Sequence, residues 1–124
     1  MKYTIGQVAK INHLTISQLH YYDRQELLPF IERKANGDRI FDDDALKYLE
    51  MILCLKGTGM PIKEIKKFIN WSMMGAGTIP QRLEMMKQQE INVLQQIRET
   101  EANLIKIQEK IATYERDLLS KENL

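Results

Sequence analysis

Two short stretches near the start of the chain carry apolar residues at helical spacing, and each opens with the same four-residue pattern. Thr4-Ile5-Gly6-Gln7 and Thr15-Ile16-Ser17-Gln18 both place Thr three residues before Gln. In that arrangement the Thr hydroxyl accepts from an amide of the first helical turn, and the Gln side chain returns to the N–H of the cap residue, so two otherwise unpaired donors are satisfied. Each pattern is also stapled by an apolar pair, Tyr3 with Val8 and Leu14 with Leu19. The pattern predicts a helix from Ile5 to Ile11, a turn at Asn12-His13-Leu14 and a second helix from Ile16 to about Gln25.

Two short helices joined by a tight turn form a helix-turn-helix, whose second helix can enter the major groove of DNA. On that second helix Leu19 and Tyr22 point to one side. Ser17, His20, Tyr21 and Arg24 share another, where hydrogen-bonding and planar groups could meet base edges. Thr15 and Gln18, at the helix start, join the candidate contact set. Taken alone, the two capped helices suit a helical hairpin with a solvated polar face equally well.

After Leu27-Leu28-Pro29, two short apolar segments flank Asn36-Gly37, a pair that supplies the positive φ angles of a tight hairpin. The hairpin reads as a wing, with Arg33, Lys34 and Arg39 near its tip as candidate phosphate contacts. Asp42 then caps a third helix running to Lys56, with Asp43 and Asp44 at the positive end of its dipole. Gly57 and Gly59 stop it, and Pro61 suits the start of a fourth helix with Ile62, Ile65, Phe68 and Ile69 inward and Lys63, Lys66 and Lys67 outward.

From Pro80 to about Leu119 there is neither proline nor glycine, and apolar residues keep a seven-residue repeat. Leu83, Met86, Val93, Ile97, Leu104, Ile107, Ile111, Tyr114 and Leu118 fall on one seam, interrupted by Glu90 and Thr100. A helix of that length spans about 60 Å, so its stripe requires a partner, and a second copy is the expected one. Four segments are expected: a winged helix-turn-helix domain over 1–70, a linker over 71–79, a dimerisation helix over 80–119 and a tail over 120–124. The fold class is mainly α.

Charge sharpens the picture little. Residues 1–70 carry eleven Lys and Arg against nine Asp and Glu, and residues 71–124 carry seven against eight. Any nucleic-acid interface must then rest on where the cations sit. Cys54 is the single cysteine, and with only His13 and His20 beside it there is no zinc-finger spacing. No metal or cofactor is expected. Nothing at the start resembles a signal peptide and no apolar run is long enough to span a bilayer, which points to the cytosol. No acid–base pair, phosphate loop or activated nucleophile indicates an enzyme. A coiled-coil adaptor without DNA binding is the alternative.

In combination, several segments resemble the N-terminal domain of MerR-family regulators. They are Tyr3 through Ala9, Leu19-His20-Tyr21-Tyr22-Asp23, Leu27-Leu28-Pro29, Asn36-Gly37-Asp38-Arg39 and Lys56-Gly57-Thr58-Gly59-Met60. The resemblance implies a homodimer on an inverted repeat in double-stranded DNA, acting with RNA polymerase at the promoter. It implies phosphate contacts by Tyr21 and Arg39, groove-facing Ser17, Gln18 and His20, and a wing role for Arg33. His20 and Ser17 stand where the family often has Arg, and Asp38 where an aromatic is usual, so the operator sequence does not carry over. With one cysteine the chain lacks the thiols of metal and iron–sulfur sensors. It resembles instead a branch responsive to aldehydes or nitrosative stress, which marks Cys54 as the candidate sensing thiol.

Overall fold

A computed structural model describes residues 1–122 of the chain. It comprises β1 (Lys2–Thr4), α1 (Ile5–Ile11), α2 (Ile16–Arg24), β2 (Glu32–Arg33), β3 (Arg39–Asp42), α3 (Asp43–Gly57), α4 (Ile62–Met74), a one-turn 3₁₀ helix (Ala76–Thr78) and α5 (Ile79–Glu122). The chain divides into two compact units, Met1–Met85 and the part of α5 from Met86 onward. Of the expected tail, residues 120–122 continue α5, and residues 123–124 lie outside the described residues.

Both capping boxes form. The Gln7 amide donates to Thr4 Oγ1 at 3.2 Å and the Thr4 amide to Gln7 Oε1 at 2.9 Å; the Thr15–Gln18 pair repeats this at 3.0 and 2.8 Å. The helix ends follow a shared rule that the sequence does not announce. At the end of α1, the Leu14 amide donates to Ala9 O at 2.9 Å and the His13 amide to Lys10 O at 3.4 Å. The same pair of bonds closes α2 through Leu27 and Glu26, and α3 through Met60 and Gly59. Each is a Schellman closure, which needs a left-handed residue just past the helix. His13 (φ 55°), Glu26 (φ 60°) and Gly59 (φ 87°) fill that place. The residue after each turns inward, Leu27 and Met60 being buried.

The wing belongs to a three-stranded antiparallel sheet in the order β1-β3-β2. Tyr3 faces Phe41 across β1 and β3, and Arg33 faces Arg39 across β2 and β3. The hairpin tip differs from the expected two-residue turn. Lys34 and Asp38 are paired through the Lys34 amide (2.8 Å to Asp38 O), the Gly37 amide donates to Lys34 O at 2.9 Å, and only Gly37 (φ 90°) is left-handed. The loop is therefore the three-residue kind, a turn followed by one left-handed glycine. Asn36 contributes through its side chain, whose Oδ1 accepts from the Asp38 amide at 3.0 Å.

The core of the first unit gathers Val8, Leu19, Tyr22, Leu27, Leu28, Phe41, Leu49, Ile52, Ile65 and Ile69, all nearly or fully buried. Asp42 caps α3 as expected, accepting from the Ala45 amide at 2.8 Å. Gly57 lies inside the last turn of α3 and does not stop it; Thr58 caps the helix and Gly59 reverses the chain. Residues 71–74, expected as linker, continue α4, because Trp71 still faces partly inward while Gly75, at φ 87° and ψ −158°, ends the helix. Among the described residues no helix is long and apolar enough to cross a membrane.

Candidate nucleic-acid interface

The outward face of α2 carries the side chains singled out from sequence. Leu19 and Tyr22 are buried against the core, which leaves Ser17, Gln18 and Arg24 exposed and His20 and Tyr21 half-buried. At about 100° per residue Ser17, His20, Tyr21 and Arg24 fall within an arc of about 100°, the width one groove-facing helix presents. Thr15 and Gln18 are already engaged with each other in the capping box. While the box holds, Gln18 Oε1 is occupied and only its amide nitrogen remains for an outside acceptor.

The wing arginines are held by a residue that sequence reasoning left without a role. Arg33 Nη2 donates to Asp23 Oδ1, and Arg39 Nε donates to Asp23 Oδ2, both at 2.6 Å. The Asp23 side chain is 8% exposed, whereas those of Arg33 and Arg39 are 51% and 25% exposed. Burial alone would push the Asp23 carboxyl up, but the hydrogen bonds and charges of the two arginines outweigh it and hold it below its ordinary value. The last turn of α2 is thus bound to both strands of the wing. Lys34, at the tip, is exposed.

Cations of the third and fourth helices are less free than their sequence positions suggest. Lys56 donates to Tyr22 Oη at 2.8 Å, Lys66 pairs with Glu26, and Lys67 lies 3.7 Å from Glu64 and over the Trp71 ring. Lys63 is exposed. A shallow cleft of about 440 Å³ lies beside this surface, lined by Asp23, Glu26, Pro29, Arg33, Lys66 and Asn70.

The profile of the MerR HTH family regulatory proteins matches residues 3–70, over half of the chain, covering the helix-turn-helix, the hairpin, α3 and most of α4. The chain belongs to the MerR family. A crystal structure of a MerR-family transcriptional regulator from Bacillus thuringiensis is 68% identical, with a TM-score of 0.87 over 91% of this chain and 99% of that one. The crystal structure of HiNmlR, described as a MerR-family regulator lacking the sensor domain and bound to promoter DNA, is 36% identical, with a TM-score of 0.86 over 94% of this chain and 92% of that one. An uncharacterised HTH-type transcriptional regulator of Haemophilus influenzae is 36% identical over 94% of this chain and 86% of its own length.

In this MerR-family chain the seam residues of α5 are uncovered. Leu83, Ile97, Leu104, Ile107, Ile111, Tyr114 and Leu118 are each between 47% and 61% exposed, and Met86 and Val93 are half-buried. Cys54 is exposed on α3, apart from the buried stripe of Ala45, Leu49, Ile52 and Leu55. Asp23 is the one participant that sequence reasoning missed. Its signal was a single acid in the second helix, next to exposed Arg24.

Proposed function

We propose that this MerR-family regulator binds an inverted-repeat operator in double-stranded DNA as a homodimer and controls transcription there together with RNA polymerase. The observation that carries the reading is the joined surface of α2 and wing: Ser17, His20, Tyr21 and Arg24 outward on one helix, and Arg33 and Arg39 tied to that helix's last turn. A groove-entering helix needs its neighbouring phosphate contacts at fixed offsets, and this arrangement supplies them. The promoter-bound state of HiNmlR supports the same use of the fold. On this reading Thr15 and Gln18 set the start of the reading helix, and Tyr21, Arg33, Lys34 and Arg39 take the phosphates.

Pairing of two copies through α5 follows from its exposed apolar seam, since an uncovered stripe of large aliphatic side chains is not stable in water. The two-fold axis of such a dimer requires a two-fold repeat in the DNA. Cys54, exposed and outside the core, is proposed as the site at which an electrophile switches transcription. The test is footprinting on the gene's own upstream region with a salt titration. Selective protection of an inverted repeat that weakens steeply with salt is expected, and binding without sequence preference would refute the reading. For the switch, Cys54→Ser should bind the operator normally yet lose induction by aldehyde or nitrosothiol; unchanged induction removes that role.

A further inference from the structure

We infer that Asp23 is a positioning residue for DNA recognition: it fixes the wing to the last turn of α2 and aims Arg33 and Arg39 outward, raising discrimination for the operator while removing charge from the surface. The inference rests on the reading that the wing arginines meet phosphates. Its basis is geometric. One carboxylate, 8% exposed, gives each of its oxygens to a different arginine from a different strand of the hairpin. Arg39 spends only its Nε on Asp23, which leaves both terminal nitrogens for an outside acceptor, and Arg33 spends only one terminal nitrogen.

Strand β3 is itself paired to β1 from Lys2–Asp42 to Thr4–Ile40, whereas β2 and the tip are held more lightly, with Lys2 Nζ donating to Glu32 Oε2 at 2.8 Å on the exposed surface. The register joining β2 to β3 covers only Glu32 with Ile40 and Arg33 with Arg39, and the bonds of the tip from Lys34 to Asp38 are internal to the hairpin. Without Asp23 the arginines would keep their charge and lose their direction. Binding to DNA without regard to sequence depends on the number of cations and tolerates their mobility. Operator binding requires each cation at a set offset from the groove helix. The same substitution should therefore move the two kinds of binding in opposite directions.

The experiment compares wild type with Asp23→Asn, as full chains, on the footprinted operator and on a scrambled duplex of equal length over a range of salt. Asp23→Asn should weaken operator binding about tenfold, strengthen scrambled-DNA binding about two- to five-fold, and steepen the salt dependence on scrambled DNA by about one. Asp23→Glu, which keeps the charge, should return scrambled-DNA binding to the wild-type value and recover most of the operator preference. Equal gains on both duplexes would reduce Asp23 to a brake on charge and overturn the inference; equal losses would reduce it to a fold-stabilising residue and overturn it as well. If circular dichroism shows Asp23→Asn unfolded, Arg33→Gln breaks one arm from the exposed side. It should then cost more affinity on the operator than on scrambled DNA, and equal losses overturn the inference. A wild-type protein without operator preference would instead sink the recognition reading beneath it.

Discussion

Lys56 Nζ donates to Tyr22 Oη at 2.8 Å and lies 4.6 Å from the centre of the same ring, so the last turn of α3 is joined to α2 through one side chain. Tyr22 is 2% exposed, which makes the bond asymmetric. Lys56→Met leaves a buried hydroxyl without its donor, at a cost of about 1–3 kcal/mol, whereas Tyr22→Phe removes the hydroxyl itself and should cost only about 0.5–1.5 kcal/mol. Urea unfolding at fixed protein concentration checks the order. Equal losses would show that packing of the lysine stem, and not the hydroxyl bond, holds the two helices together.

His13 and Glu26 occupy left-handed backbone that glycine adopts freely, at φ 55° and 60°. The strain of such a residue is about 1–2 kcal/mol, and glycine returns part of that as extra freedom of the unfolded chain. His13→Gly and Glu26→Gly should each therefore stabilise the chain by up to about 1 kcal/mol, even though the second also removes the exposed partner of Lys66. Gly59→Ala, at φ 87° in the same motif, should move the melting temperature the opposite way.

These motifs show which parts of the fold were legible in the sequence. Helix starts were, because Thr4, Gln7, Thr15 and Gln18 carry their own capping chemistry. Two of the three Schellman closures were not, because His13 and Glu26 stand where glycine would have marked them. Strand β1 is too short to show alternation, and its register is set by β3, some forty residues away. The tip at Asn36-Gly37 read as a two-residue turn because both residues tolerate positive φ; the Lys34–Asp38 pairing decides that only Gly37 adopts it. The outward face of α2 was legible from periodicity alone, as was the unbroken helix that carries the apolar repeat of α5. The Asp23 clamp was not, since its partners lie 10 and 16 residues along the chain in a hairpin whose docking no local pattern reveals.

Acid should act on the same clamp. The Asp23 carboxyl is held below its ordinary value in the folded chain, so its contribution to stability is complete above the ordinary carboxyl range and is lost as pH falls through the lowered folded value. The difference in unfolding midpoint between wild type and Asp23→Asn should stay constant between about pH 7 and pH 5 and close below about pH 4. A difference that does not narrow at all as the pH falls below about 4 would mean that the substitution acts through packing and not through the ion pair.

The turn between α4 and α5 is held by a compact set of polar bonds around Thr78, which is 8% exposed. Thr78 Oγ1 faces the carbonyls of Trp71 and Gly75 and accepts from Arg82 Nε at 3.1 Å, and Arg82 Nη2 donates to Gly75 O at 2.8 Å. The end of α4 and the first turn of α5 are thereby locked across a glycine that takes φ 87°. Thr78→Val keeps the shape and removes the hydroxyl, leaving the half-buried Trp71 carbonyl without that donor while Gly75 O keeps Arg82 and the residue 78 amide, and should cost about 0.5–1.5 kcal/mol. Thr78→Ser should recover most of this, because it restores the hydroxyl and loses only a methyl group. Gly75→Ala tests the backbone separately: no atom lies within 4 Å of an added Cβ, so its penalty of about 1–3 kcal/mol would be strain alone. If Thr78→Val unfolds at the wild-type denaturant concentration, the polar bonds are replaceable by water and the glycine alone sets the turn.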